Sequence, residues 1–171
     1  VVSSPWLLAQ ESHWGTEPLS LSAEEIHSKA SQIANAETGD VEYLFEETVV
    51  RIEVDGRATE TQRSIYRVLT EAGVEEFGSI EAEWSPWYQE RPKIEARVVN
   101  GSNDEVKLIE REIVEGPVQH SDSVYSDRRK LQAPLPAVSA GSVIETVVIT
   151  KDQRCFFSAG TAEFRLFNRF Y

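Results

Sequence analysis

From Val41 onward, short segments of the sequence alternate between apolar and polar residues, and turn-forming pairs separate these segments. A two-residue period is typical of β-strands that bury one face. Asp55-Gly56 and Asn100-Gly101 are dipeptides that favour tight hairpin turns. No helical pattern alternates with the strands, which argues against a parallel α/β fold. We therefore expect a mainly β protein, an antiparallel β-sandwich of at least six strands with one short N-terminal helix.

The first hairpin needs one irregularity if it is to bury a single face. Val50 and Ile52 alternate on one parity, whereas Tyr43 and Phe45 fall on the other. One extra residue near positions 46–48 would bring both sets to the same side, because a β-bulge changes the face of the residues that follow it. We therefore predict a bulge at that point.

Later segments predict strands that differ in exposure. In residues 93–99, apolar side chains alternate with charged ones that include Arg97, which predicts a half-buried strand with a solvated face. Residues 143–150 are apolar on both parities and predict a central strand that is covered on both faces. Residues 125–145, with their prolines, predict an ordered crossover into that strand. Residues 161–170 alternate again and predict a last strand.

A helix is predicted before the strands, over residues 22–38. Ser22 and Glu25 have the spacing of a capping box, a thin apolar stripe follows, and Gly39 is suited to the end of the helix. This helix could be a structural appendage of the β domain or the last helix of a preceding one.

The remaining N-terminal residues show no clear period and predict an extended lead-in. We therefore divide the chain into residues 1–40, the lead-in and helix, and residues 41–171, the β-sandwich domain. The chain has no methionine, so we expect it to be a fragment or a processed form. Residues 1–20 also lack the basic and apolar regions of a signal peptide, so no signal segment is expected within this chain.

The net charge of −12 is unevenly distributed. Residues 1–90 hold 18 acidic and 5 basic side chains, whereas residues 91–171 hold 11 and 12. Because neutralisation of phosphates dominates nucleic-acid affinity, such a chain is a poor nucleic-acid binder. No apolar run approaches the roughly 20 residues of a membrane-spanning helix. We therefore expect neither a nucleic-acid partner nor a membrane span in this chain.

Several stretches of the sequence resemble the 3857 family of domains of unknown function. The most specific is YSDRRKLQAPLPAVSAGSVIE at residues 125–145, and the resemblance extends over roughly residues 42–171. The other matching stretches are YRVLTEAGVEEFG (66–78), WSPWYQERPKIEARVVNGSNDEVKL (84–108), IVEGPVQHSDSVYSDRRKLQAPLPAVSAGSVIE (113–145) and CFFSAGTAEFRLF (155–167). The helix at 22–38 lies outside the resemblance.

The resemblance implies a β-sandwich domain of a bacterial protein that has no assigned activity of its own. Family domains typically precede a transglutaminase-like domain, and many of the proteins that contain them are exported. The resemblance therefore implies a non-catalytic accessory domain beside a transglutaminase-like or protease-like domain of the same polypeptide. It also implies an extracytoplasmic location, periplasmic or secreted. The catalytic cysteine, histidine and aspartate would lie in that downstream domain.

Cys155 is the one candidate nucleophile of the chain. A thiol nucleophile needs a base within hydrogen-bond reach and a lowered pKa, but Cys155 precedes two phenylalanines, and His13, His27 and His120 are scattered. We expect a small buried hydrophobe, with an enzyme acting through Cys155 as the least favoured hypothesis. Because these residues show no ligand spacing, we expect no metal ion, and we expect no cofactor.

Trp84, Trp87 and Tyr88 form an aromatic cluster around a proline. Exposed aromatic patches mark binding surfaces, so this cluster could contact a glycan or a peptide. The alternative is that the rings pack on the body of the sandwich. The alternative function for the chain is therefore a carbohydrate- or peptide-binding module.

Arg128, Arg129 and Lys130 are adjacent cations in an acidic chain. Arg128 and Arg129 could pair with carboxylates of the acidic first half and fasten the crossover to the first hairpin. They could instead form a surface for an anionic ligand or the acidic surface of a partner. We favour the internal role.

Overall fold

The computed structural model describes residues 14–33, 38–118 and 127–155. These residues form two α-helices, eight β-strands and one turn of 3-10 helix. In chain order they are α1 (Ala23–Ser31), β1 (Val41–Ile52), β2 (Ala58–Val68), α2 (Glu71–Phe77), β3 (Ser79–Trp84), β4 (Lys93–Val99), β5 (Glu105–Lys107), the 3-10 turn (Glu110–Glu112), β6 (Val114–Pro117), β7 (Arg129–Pro134) and β8 (Val143–Lys151).

The strands form two antiparallel sheets that face each other. The main sheet has five strands in the order β1-β2-β8-β4-β5, and the small sheet has three in the order β3-β7-β6. The mainly β, antiparallel fold predicted from the sequence is thus confirmed. β8 is the central strand of the main sheet and pairs with β2 on one side and β4 on the other, as predicted.

The space between the two sheets holds an apolar core. Trp84, Leu131 and Ala133 of the small sheet pack with Ile94 and partly buried Val148 of the main sheet. A neighbouring cluster joins the main sheet to α2 and the turn before β8; it contains Tyr66, Val68, Ala96, Val98, Leu135 and Ile144. Burial of these side chains is the chief stabilising contribution to the sandwich.

Residues 14–33, which we call the N-terminal segment, cover the opposite face of the main sheet. Ile26 and Ala30 of α1 are buried against Ile65, Val99 and Val143 of the sheet. The molecule therefore has three layers, and the centre of the main sheet is covered on both sides, whereas the second half of β1 is exposed. The solvated face predicted for β4 is found at Lys93 and Glu95, whose side chains are 64% and 42% exposed. The prediction is wrong at Arg97, because the N-terminal segment lies over that end of the strand.

α1 begins where the sequence predicts and ends earlier. The Glu25 N–H donates to the Ser22 hydroxyl at 3.2 Å, and the Ser22 N–H donates to the Glu25 carboxylate at 2.8 Å, which confirms the capping box. The N–H and the hydroxyl of Ser22 both donate to the Glu25 carboxylate, and these two hydrogen bonds lower the pKa of Glu25. The helix stops at Ser31 rather than near Gly39, because Arg67 of β2 donates to the carbonyls of Ala30 and Ile33 at this end.

The first hairpin turns at Asp55-Gly56, as predicted, and Gly56 takes a positive φ of 87°. The bulge lies between Tyr43 and Phe45, not at residues 46–48. Tyr43 therefore stacks near Tyr66 on the side of the small sheet, with 5.5 Å between ring centroids. Phe45 packs on the side of the N-terminal segment. The single buried face predicted for β1 is wrong because both faces are covered at this end of the strand.

Two elements depart from the sequence expectations. α2 is a second helix, capped by Thr70, whose hydroxyl accepts from the Gly73 N–H at 3.1 Å. Its seven residues are too few to show a helical period. The predicted crossover contains β7, the middle strand of the small sheet. The crossover ends in a turn at Gly141, which has a φ of 88° and donates to the Val68 carbonyl at 2.8 Å. The strand predicted over 161–170 lies outside the described residues.

Candidate functional site

The aromatic cluster predicted as a binding surface is divided between the core and the surface. Trp84, at the end of β3, is 4% exposed and packs between the two sheets. Trp87 is 40% exposed, and Tyr88 is partly buried beside it with 4.6 Å between the ring centroids. The packing alternative thus applies to Trp84, and the accessible part of the cluster is Trp87 with Tyr88.

Arg154 lies beside Trp87 as a third member of this surface. We call Trp87, Tyr88 and Arg154 the Trp87 patch. The guanidinium carbon of Arg154 lies 5.6 Å from the centroid of the Trp87 ring, within the range of a cation–π interaction. The Nε of Arg154 also donates to the Trp87 carbonyl. Sequence reasoning missed Arg154 because 67 positions separate it from Trp87.

The Trp87 patch is held in place by main-chain hydrogen bonds between the loop after β3 and the chain after β8. Gln153 donates to the Tyr88 carbonyl at 2.8 Å, and Glu90 donates to the Lys151 carbonyl at 2.8 Å. Within the loop, the Ser85 N–H donates to the Gln89 side chain at 2.9 Å. These bonds fix the backbone that carries Trp87, so the exposed ring projects from an ordered support.

The three adjacent cations lie in ion pairs on the small sheet. Arg128 pairs with Glu83 at 2.8 Å, and Lys130 pairs with Glu81 at 2.8 Å, both across the β3–β7 pairing. Arg129 pairs with Glu115 of β6 at 2.6 Å. The partners lie on β3 and β6, not on the first hairpin. All these groups are about one-third to one-half exposed, so each pair contributes little to stability.

Cys155 lies beside the first hairpin. Its side chain is partly exposed, and the thiol donates to the Asp55 carbonyl. His27 lies on α1, and His13 and His120 are outside the described residues. Among the residues that the structure describes, no group of three His, Cys, Asp or Glu side chains could hold a metal ion.

A cluster of charged side chains that sequence reasoning missed lies beneath the N-terminal segment. Glu145 of β8 sits between Arg63 of β2 and Arg97 of β4, and all three side chains are at most 2% exposed. The Nε of Arg63 donates to one carboxylate oxygen of Glu145 at 2.8 Å, and the Nε of Arg97 donates to the other at 2.9 Å. We call these three residues the buried ion cluster. The signal in the sequence was a single glutamate within the apolar run 143–150.

The buried ion cluster attaches the N-terminal segment by its main chain. Leu19 donates its N–H to Glu145 at 2.9 Å. Arg63 also donates to the main-chain carbonyls of Trp14 (2.9 Å) and Gly15 (2.8 Å), and the Nη1 of Arg97 donates to that of Leu21. The Nη2 of Arg97 makes a further hydrogen bond to Glu145 at 2.6 Å. Both oxygens of Glu145 are therefore occupied by donors of the protein itself. This arrangement is suited to holding the segment and leaves the carboxylate enclosed.

Glu105 of β5 adds a second carboxylate beside the buried ion cluster. It accepts from the Nη1 of Arg97 at 2.9 Å, which gives two carboxylates for the two arginines. Burial alone would raise the pKa of Glu105, but hydrogen bonds from Lys107 and Arg97 outweigh it and leave the pKa below its usual value.

Neither helix in the described part of the chain is long and apolar enough to cross a membrane.

No curated protein matches the chain. The fold is similar to that of a solved structure described as a "putative protease" from Parabacteroides distasonis, with a TM-score of 0.63 and 14% identity. The match covers 69% of this chain and 24% of the Parabacteroides chain.

The family model of DUF3857, a domain of unknown function, matches residues 54–170. This range begins in the turn of the first hairpin and contains β2 to β8, which supply both sheets of the sandwich. It also contains the Trp87 patch and all three members of the buried ion cluster. The chain therefore belongs to the DUF3857 family.

Proposed function

We propose that the chain is a non-catalytic accessory domain of a larger bacterial protein, and that it adjoins a transglutaminase-like or protease-like domain. In this role the domain positions its neighbour or binds the neighbour's substrate. We also propose that the protein acts outside the cytoplasm, periplasmic or secreted, as the family resemblance implies.

The observation that carries this proposal is the share of each chain in the structural match. The fold extends over 69% of this chain but only 24% of the Parabacteroides protein, which is described as a "putative protease". A fold that makes up about a quarter of a longer chain is suited to serve as one domain among several. The remaining length of such a protein offers room for a separate catalytic domain.

The placement of the reactive side chains supports the same role. Glu145 is enclosed by donors of the protein itself, and the Cys155 thiol donates to a main-chain carbonyl. A catalytic thiol would instead be expected beside a base that can take its proton. These contacts are those of a scaffold that holds its own segments together.

The proposal is tested by assaying the 171-residue chain for hydrolysis of a protein substrate and for transamidation with a small amine. We expect no turnover above background, with Cys155→Ser indistinguishable from the parent. A polypeptide that also contains the following domain is expected to be active. Removal of residues 1–171 from it is expected to raise KM for a protein substrate more than KM for a short peptide. Activity of the isolated chain that Cys155→Ser abolishes would contradict the proposal.

A second candidate function rests on the Trp87 patch. An exposed tryptophan on an ordered support, with a tyrosine and an arginine beside it, is suited to stacking on a sugar ring or gripping a peptide. We expect Trp87→Ala to lower binding to a glycan or peptide array at least tenfold while the circular dichroism spectrum stays unchanged. Glu90→Ala in the same loop is the control. Equal binding by Trp87→Ala and the parent would exclude the patch as the binding surface.

A further inference from the structure

β1 is the outer strand of the main sheet, and its second half is exposed. Every side chain from Glu46 to Ile52 is exposed except that of Val50, which is partly buried. Two of the exposed side chains are large and apolar, Val49 at 47% and Ile52 at 52%. The bulge after Tyr43 bounds this stretch at one end, and the hairpin turn bounds it at the other. A regular edge of this kind can pair with another strand.

The hydrogen-bond parity of β1 shows which main-chain groups face outward. The Glu53 N–H donates across the hairpin to the Arg57 carbonyl at 2.8 Å. Residues of the same parity, such as Val49 opposite Thr61, therefore direct their N–H and C=O groups toward β2. The even-numbered residues 46, 48, 50 and 52 direct theirs away from the sheet. Among the described strands, none pairs with this edge.

We propose that a second copy of this chain pairs with β1 in antiparallel orientation, with a two-fold axis at Val49. The two main sheets then join into one continuous sheet of ten strands. Thr48 exchanges main-chain hydrogen bonds with Val50 of the partner subunit, and Glu46 does so with Ile52 of the partner subunit. These are the residues whose N–H and C=O groups face outward, so this register gives hydrogen-bond partners to the main-chain groups along the edge of β1.

Charge complementarity selects this register. With the axis at Val49, Glu47 lies opposite Arg51 of the partner subunit, and symmetry creates the same pair twice. Both side chains are exposed and point to the same face of the sheet as Val49. No ion pair among the described residues includes Glu47 or Arg51. The pair is therefore available to an intermolecular partner.

The neighbouring registers that keep the same hydrogen-bond parity are less favourable. Moving the axis to Val50 places Glu47 opposite Glu53 of the partner subunit. An axis at Glu47 places Glu47 opposite its own copy, and an axis at Arg51 does the same for Arg51. An axis at Thr48 opposes no like charges but forms no ion pair. Like charges directly opposite each other destabilise a sheet, whereas opposite charges and apolar pairs stabilise it.

A charge-swap series tests the proposal by sedimentation equilibrium. We expect the parent chain, of 19.3 kDa, to form a reversible dimer. Arg51→Glu is expected to weaken the dimer by about tenfold or more, since both ion pairs become repulsive. The double variant Glu47→Arg/Arg51→Glu restores the pairs with the net charge of the parent and is expected to recover the dimer. Arg111→Glu, an exposed site on the 3-10 turn, controls for the change in net charge.

Disulfide trapping tests the axis itself, in a Cys155→Ser background. Val49→Cys faces its own copy across a non-hydrogen-bonded pair, where Cβ atoms lie about 4.5–5.5 Å apart, so a linked dimer is expected. Ile52→Cys is equally exposed on the same edge, but it lies about 20 Å from its copy in this register and should stay monomeric. A chain that is monomeric at all concentrations, failure of the double variant to recover the dimer, or equal trapping at both positions would overturn the proposal.

Discussion

Replacing Glu145 with alanine is expected to destabilise the protein by about 3–5 kcal/mol. Glu145 is completely buried and accepts hydrogen bonds from both Arg63 and Arg97. Without its carboxylate, two guanidinium groups lie close together in the interior with Glu105 as the remaining partner. An uncompensated buried charge costs far more than the intact pair contributes, because water can no longer solvate it.

The measurement is the free energy of unfolding in urea, followed by tryptophan fluorescence. Glu95→Ala is the matched control, since Glu95 lies on the adjacent strand β4 and is about half exposed, with Lys93 as its ion-pair partner at 3.0 Å. We expect this control to change stability by less than about 0.5 kcal/mol.

Glu145→Gln provides a variant that keeps the volume of the side chain. One oxygen can still accept from an arginine, but the amide N–H₂ group faces the other guanidinium, so a loss above about 1 kcal/mol is expected. Hydrogen exchange at Leu19 gives a local readout, because its N–H donates to Glu145. Unfolding free energies within about 1 kcal/mol of the parent for both variants would mean that the ion cluster does not hold the N-terminal segment.

Trp84→Ala is expected to cost about 3–5 kcal/mol as well, for a different reason. The indole ring fills space between the two sheets, next to Leu131 and Ile94, and its removal leaves a cavity. For a chain of this length, each 1 kcal/mol lowers Tm by about 2–4 °C, so a decrease of roughly 6–20 °C is expected.

Trp87→Ala is the control for this substitution, because it removes the same kind of ring three positions further along the chain, at the surface. Trp87 is 40% exposed, and its loss is expected to lower Tm by no more than about 4 °C. Differential scanning calorimetry compares the two variants. Similar values of Tm for both would show that Trp84 does not support the core.

Local sequence rules identified the parts of the fold that depend on neighbours in the chain. The Asp55-Gly56 turn, the Ser22–Glu25 capping box and the apolar run that became β8 each follow from a few adjacent residues. Each is stabilised by contacts that the period or the spacing already specifies. These features therefore could be predicted without any tertiary structure.

The rest depends on which element covers which face, and this is a tertiary property. Arg97 alternates with apolar residues, as a solvated side chain would, yet the N-terminal segment buries it. The end of α1 is set by Arg67, far along the chain. In the candidate site, the sequence located the aromatic residues but could not tell that Trp84 is buried and Trp87 exposed. Arg154 could not be identified either, because only the end of β8 brings it beside Trp87.

The way in which the sheet holds residues 14–22 makes this stretch a convenient position for chemical labelling. Its anchors are peptide groups, namely the carbonyls of Trp14, Gly15 and Leu21 and the N–H of Leu19. Most side chains here can therefore be exchanged without removing an anchor. Glu17, which is exposed, could carry a fluorophore that reports release of the stretch from the sheet.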